Sequence, residues 1–174
     1  KDERFGQAYL MMATGNISRQ HWDDAAKVLE EFLADPRSEQ SRERANALDL
    51  LASIYRHQKQ FSKAIELWRK FVEQYPTHPS WSQAQTQIID AEFEAAYEEF
   101  LDEKYEAARK AWEAFLAAHP LDGRAPQILF HFGQMAARQK AWDAAITAWR
   151  QLAEKYPGDQ WGQRAQLAIA ETYE

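Results

Sequence analysis

Four times along the chain an aromatic residue opens a segment of one pattern and a proline closes it. Trp22, Phe61, Tyr105 and Trp142 stand first, and three residues later come Ala25, Ala64, Ala108 and Ala145. Seven residues after the aromatic stand Leu29, Trp68, Trp112 and Trp149; ten after it stand Phe32, Phe71, Phe115 and Leu152. Offsets of 0, 3, 7 and 10 share one face of a 3.6-residue helix, so each segment is expected to be an amphipathic helix. The small Ala lets a neighbouring helix approach, and the bulky residues fill the space beside it. Pro36, Pro76, Pro120 and Pro157 close the segments, because proline has no N–H to donate and steers the chain out of helix. The proline falls fifteen residues after the aromatic in three copies and fourteen after it in the first.

A second helix is expected before each of these. Tyr9, Met12 and Ala13 lead into the first segment, Leu48, Leu51, Ala52 and Tyr55 into the second, and Leu129, Phe132, Gly133 and Ala136 into the fourth. Phe93, Ala96, Tyr97 and Phe100 lead into the third, read as one residue closer to their partner helix. A last helix from Gln160 has Ile169, Ala170 and Tyr173 at the spacing of Leu51, Ala52 and Tyr55, and is expected to cap the stack. The expectation is therefore an all-α chain of nine helices. One domain spans 1–174, with pairs over about 4–36, 42–76, 80–120 and 124–157 and a capping helix over 160–174.

These residues resemble the tetratricopeptide repeat family over essentially the whole chain. The resemblance rests on the small residue at Ala52 or Gly133, on Tyr55, on the second-helix Ala of every copy, and on the terminal proline. It implies a right-handed α-α superhelix. Repeat spacings of 39, 44 and 37 residues exceed the usual 34. With linkers such as Tyr75-Pro-Thr-His-Pro-Ser, they resemble the bacterial cell-envelope branch, which includes Tol–Pal-associated and outer-membrane assembly proteins. The resemblance thus implies periplasm or cell envelope, and the chain reads as a piece of a longer protein.

Composition excludes several other functions. No cysteine is present, so disulfide and thiol chemistry are out, and a net charge of −6 argues against nucleic acid as the main partner. No apolar run approaches the roughly 20 residues of a membrane span. None of the five His residues has a His, Asp or Glu at the helical i, i+4 spacing of a metal site, and no phosphate-cradling or nucleophile motif occurs. His119 takes the slot of Tyr75 and Tyr156, and His131 lies between Phe130 and Phe132, so both read as packing residues. No catalytic residue, cofactor or metal is expected.

What remains is surface. In the family the first helix of each pair lines a concave groove that binds partners. Carried over, those positions are Asn46, Asp49, Ser53, Arg56 and His57 in the second pair, Glu94, Glu98 and Asp102 in the third, and Gln127, Phe130, Gln134 and Arg138 in the fourth. Between Asp90 and Glu106 stand eight carboxylates and one Lys. Glu94, Glu98 and Asp102 recur every four residues as one stripe. It reads either as a solvated face paired to Arg109, Lys110 or a neighbouring repeat, or as a site for a basic peptide. The long spacing before Phe93 predicts one or two extra turns near Ser80–Gln83. Trp81 there either packs back on Tyr75 or anchors a partner. The leading function is a non-catalytic scaffold that binds a protein or peptide, with a basic peptide as the class suggested by the stripe and a homodimer as a second arrangement. The alternative is a structural or assembly module, without its own ligand, inside a large envelope or extracellular protein.

Overall fold

The computed structural model describes residues 3–173, and among these the chain is all-α. In order stand α1 (Glu3–Ser18), α2 (Trp22–Ala34), α3 (Arg44–His57), α4 (Phe61–Gln74), α5 (Trp81–Leu101), α6 (Tyr105–Ala118), α7 (Ala125–Arg138), α8 (Trp142–Lys155) and α9 (Gln160–Thr172). A short 3-10 helix at Pro36–Gln40, not foreseen from the pattern, follows α2. The contacts divide the chain into two compact units, one running to Ala95 and the other from Ala96, so the border falls inside α5.

In the unit that ends at Ala95, the stripe at offsets 3, 7 and 10 forms the core. Ala25, Leu29 and Phe32 of α2 and Ala64, Trp68 and Phe71 of α4 are wholly buried. Each fully buried large side chain contributes about 2–3 kcal/mol, which offsets the cost of ordering the helix that carries it. Phe5 and Tyr9 of α1 lie against Phe32 with ring centroids 5.6 and 5.5 Å away. Tyr55 of α3 donates its hydroxyl to Glu30 of α2, and burial with that carboxylate pushes the phenol up to about 12.

In the other unit the same positions, Ala108, Trp112 and Phe115 of α6 and Ala145, Trp149 and Leu152 of α8, are again buried. α7 packs against α8, and α8 against α9, along most of their lengths, whereas α6 meets α7 over a much shorter stretch. A groove of about 630 Å³ is lined by Leu129, Phe132 and Ala136 of α7 and by Ala144, Thr147 and Ala148 of α8, with Arg109 of α6 beside them.

All four pairs close through one turn. Gln20, Lys59, Glu103 and Lys140 adopt left-handed backbone, with φ of 62, 59, 61 and 61°. The following N–H returns to the carbonyl five residues back: His21 to Asn16, Gln60 to Tyr55, Lys104 to Glu99 and Ala141 to Ala136, at 2.8–2.9 Å. With the companion bonds Gln20 to Ile17, Lys59 to Arg56, Glu103 to Phe100 and Lys140 to Ala137, each turn is a Schellman cap. One turn implies one register. Ala13, Ala52, Ala96 and Gly133 all stand nine residues before the aromatic of the next helix and all are buried. The one-residue shift expected in the third pair is therefore absent: α5 is lengthened only at its start, where it begins at Trp81.

The linkers share a second device. Backbone N–H groups of Arg37, Ser80, Arg124 and Trp161 donate to the side chains of Asp35, His78, Asp122 and Asp159, two residues earlier, at 2.7–3.2 Å. The Arg37 guanidinium also grips Asp35 at 2.5 Å and holds that carboxyl down to about 2.

Candidate functional site

The expected groove residues divide into two groups with different local roles. In the first unit, Asp49 does not present a free carboxylate: its Oδ1 accepts the indole N–H of buried Trp68 at 2.8 Å. Removing the acceptor strands a buried donor, so Asp49→Ala is expected to lose about 1–3 kcal/mol of stability, while Asp49→Asn keeps most of it. Urea unfolding of the two variants checks this, and equal losses would remove the hydrogen bond from the account. Asn46 is exposed and donates to Glu43 at 3.2 Å. Arg56 is the hub of this region. Its Nη2 lies 2.5 Å from Glu94 and 3.9 Å from Asp90, its Nε donates to Glu94 at 2.8 Å, and Nη1 donates to Gln87.

That hub bears on the acidic stripe. Glu94 is tied to Arg56, and Arg69 draws in Glu92 at 2.8 Å. In the second unit Lys104 lies 3.2 Å from Glu99 and 3.1 Å from Asp102. Several carboxylates of the run thus have cations from the protein itself as partners, and in the first unit these join α5 to α3 and α4. With the register common to all pairs, Glu94, Glu98 and Asp102 also stand one residue beyond the positions of Asp49, Ser53 and His57. Trp81 packs back: its indole N–H donates to the Val72 carbonyl of α4 at 3.0 Å, and the residue is half-buried.

In the second unit, the structure brings Gln134 and Arg138 together. They line a groove of about 450 Å³ between α7 and α9, floored by Phe130 and Trp149 and edged by Trp142, Glu171 and Thr172. Gln127, nearer the start of α7, lies outside it. Trp142 keeps 50% of its surface, which makes it an aromatic group ready to pack against a partner. The sequence pattern had placed it in the core stripe. Arg138 lies 3.6 Å from Glu103, both largely exposed.

Gln134 also reaches inward. Its Oε1 lies 2.7 Å from Nδ1 of His131, a ring buried among Tyr97, Phe100, Trp112, Phe130 and Trp161. Burial pushes this imidazole below its ordinary range, and the Gln134 bond partly opposes that. His119 packs on Phe115 with centroids 4.9 Å apart, in the slot where Tyr75 packs on Phe71. Among the described residues no group of His, Asp and Glu could hold a metal ion, and no helix is long and apolar enough to cross a membrane.

The Tetratricopeptide repeat family model matches residues 10–79 and 93–160, well over half of the chain. No curated protein matches it. Among solved structures, that of MamA is similar, with 21% identity over 93% of this chain and 82% of that one and a TM-score of 0.47. So is a Podosopora anserina putative kinesin light chain of nearly identical TPR-like repeats, at 19% identity over 99% of this chain and 87% of that one, with a TM-score of 0.42. Four helix pairs with one buried stripe, and a family match covering all four, lead to one conclusion: the chain belongs to the tetratricopeptide repeat family.

Proposed function

We propose that the chain is a non-catalytic scaffold that binds a partner protein or peptide, and that the α7–α9 groove is the docking surface. The observation that carries this is the half-exposed Trp142 beside a floor of Phe130 and Trp149, with amide, cation and carboxylate groups of Gln134, Arg138 and Glu171 at the edge. Buried aromatic anchors ringed by polar groups supply most of the binding energy at protein interfaces. A peptide library displayed against the chain tests the reading. Trp142→Ala and Glu171→Lys are expected to weaken selected peptides about tenfold or more, the equivalent of about 1.4 kcal/mol. Binding that ignores both changes removes the groove from the proposal.

Basic peptides are the first class to compare with neutral ones, because Glu171 and exposed Asp102 and Glu103 belong to the same unit. The second reading, a structural module without its own ligand, draws support from the ion pairs of Arg56 and Arg69, which use charge to join helices. A library that yields no binder favours it. The cell-envelope placement rests on the long linkers and is tested by fractionation of the parent cells; sedimentation at increasing concentration tests a homodimer.

A further inference from the structure

His131 is 5% exposed, and its ring lies flat on Trp112, with centroids 5.2 Å apart and planes 11° from parallel. Phe100, Tyr97, Trp161 and Phe130 complete the box at 4.8, 5.4, 5.8 and 6.1 Å. Gln134 Oε1 can only accept, so Nδ1 carries the proton of the neutral ring and Nε2 is its bare nitrogen. That Nε2 is buried without a hydrogen-bond partner. A lone pair among rings is tolerated; an N–H carrying positive charge there would lack both acceptor and water.

The elements around the ring offer that charge little. α5 presents Tyr97 and Phe100. α6 presents Trp112, while its Arg109 lies over Phe132, 4.8 Å from the centroid. α9 presents Trp161, over which Arg164 lies at 4.7 Å. Cations thus stack on Phe132 and on Trp161, and the groups that touch His131 itself are Gln134 and the rings of the box. The attraction of a cation to aromatic faces is smaller than the cost of an unpaired buried charge.

We propose that His131 is a proton-operated latch: uptake of a proton at Nε2 drives the ring out of its box and releases the wall of the groove that α9 supplies. The ring is placed for this. Through Nδ1 it holds Gln134, which lines the groove, and it lies tilted 5.8 Å from Trp161, by which the start of α9, the helix that carries the groove residues Ala168, Glu171 and Thr172, rests on Phe130 at 5.3 Å. One movement breaks the Gln134 bond and unseats Trp161. The sign follows from burial. The folded chain favours neutral His131, so the stability it contributes is complete above the ordinary value of 6.5 and is lost as pH falls from there through the depressed folded value. The effect on binding rests on the groove reading; the latch does not.

The test titrates the whole chain from about pH 8 to about pH 4.5. NMR signals of the His131 imidazole are followed alongside amide exchange, corrected for its intrinsic pH dependence. His131 is expected to stay neutral below pH 6.5 and, as it titrates, to speed exchange in α9 about tenfold, with α1 to α4 unchanged. His131→Phe, which fills the box without titrating, is expected to abolish the α9 response. Titration of His131 at or above the ordinary value, or an α9 response that survives in His131→Phe, overturns the latch. Should that variant fail to fold, Gln134→Glu puts a carboxylate at Nδ1 and must raise the pH at which His131 titrates; an unmoved titration is equally fatal. A selected peptide adds the separate arm. If α9 opens on acidification but affinity holds, the groove reading fails and the latch stands.

Discussion

Gly133→Ala is expected to cost the fold about 3 kcal/mol. A Cβ at this position would lie 2.2 Å from Nε1 of Trp149 and 2.4 Å from its Cδ1, in a helix where neither backbone can retreat without loss. Trp149 is held there because its indole N–H donates to the Phe130 carbonyl at 3.1 Å, a buried bond between α8 and α7. The added methyl thus forces either an overpacked ring or a stranded donor. The second pair shows why this position takes glycine where its counterpart takes alanine. Asp49, Ala52 and Trp68 recur at one spacing as Phe130, Gly133 and Trp149. Trp68 reaches the Asp49 carboxylate, and Ala52 keeps its Cβ. Phe130 offers no side-chain acceptor, so Trp149 turns to the backbone and presses on α7. Urea unfolding reads the loss as a lowered midpoint at unchanged slope. In a Trp149→Leu background the same methyl should cost far less, with a coupling of about 1 kcal/mol or more. A full loss there would mean the clash is elsewhere.

Placing glycine at Gln20, Lys59, Glu103 and Lys140 together is expected to stabilise the chain by about 2–4 kcal/mol. A left-handed residue with a Cβ costs about 1–2 kcal/mol, and the extra freedom of unfolded glycine returns part of the gain, leaving about 0.5–1 kcal/mol at each turn. Each of the four residues stands in its own turn, and the gains are expected to add. Glu103 gives up its ion pair with Arg138, but both side chains are mostly exposed and the pair is worth little. Thermal and urea unfolding of the four single variants and the combined one measures the gain. No increase at any turn would show that the strain is relieved in a way the dihedral angles do not reveal.

Much of the fold was legible because periodicity reports burial directly. The stripe positions from Ala25 to Phe32 and their three copies became the buried face of α2, α4, α6 and α8. The helix stops were legible because proline disfavours helical backbone in the residue before it, and Tyr75, His119 and Tyr156 stand there with the same non-helical backbone, φ near −130° and ψ near 60°. The left-handed turns were not, since no glycine marks them and only three-dimensional closure forces the conformation on Gln20 or Lys59. The register of α5 was misjudged because Tyr97 and Phe100 resemble core residues of another frame, whereas the small Ala96 sets the true one. The candidate site was legible only in part. Gln134 and Arg138 follow from the repeat alignment. Asp49 was misleading because a carboxylate on a groove helix looks like recognition when its partner, Trp68, is distant in sequence. Trp142 was hidden in the opposite sense, a stripe residue that keeps half its surface.

A turn sealed by its own backbone needs nothing from the next pair to set its angle. Each pair can therefore acquire its geometry from residues within about 35 positions of one another, and neighbours add only afterwards. Chains whose contacts are this close in sequence cross low entropic barriers and reach the native state quickly. No single pair need lead: whichever turn closes first can serve as the template, and the order of assembly is left to local sequence strength rather than to topology.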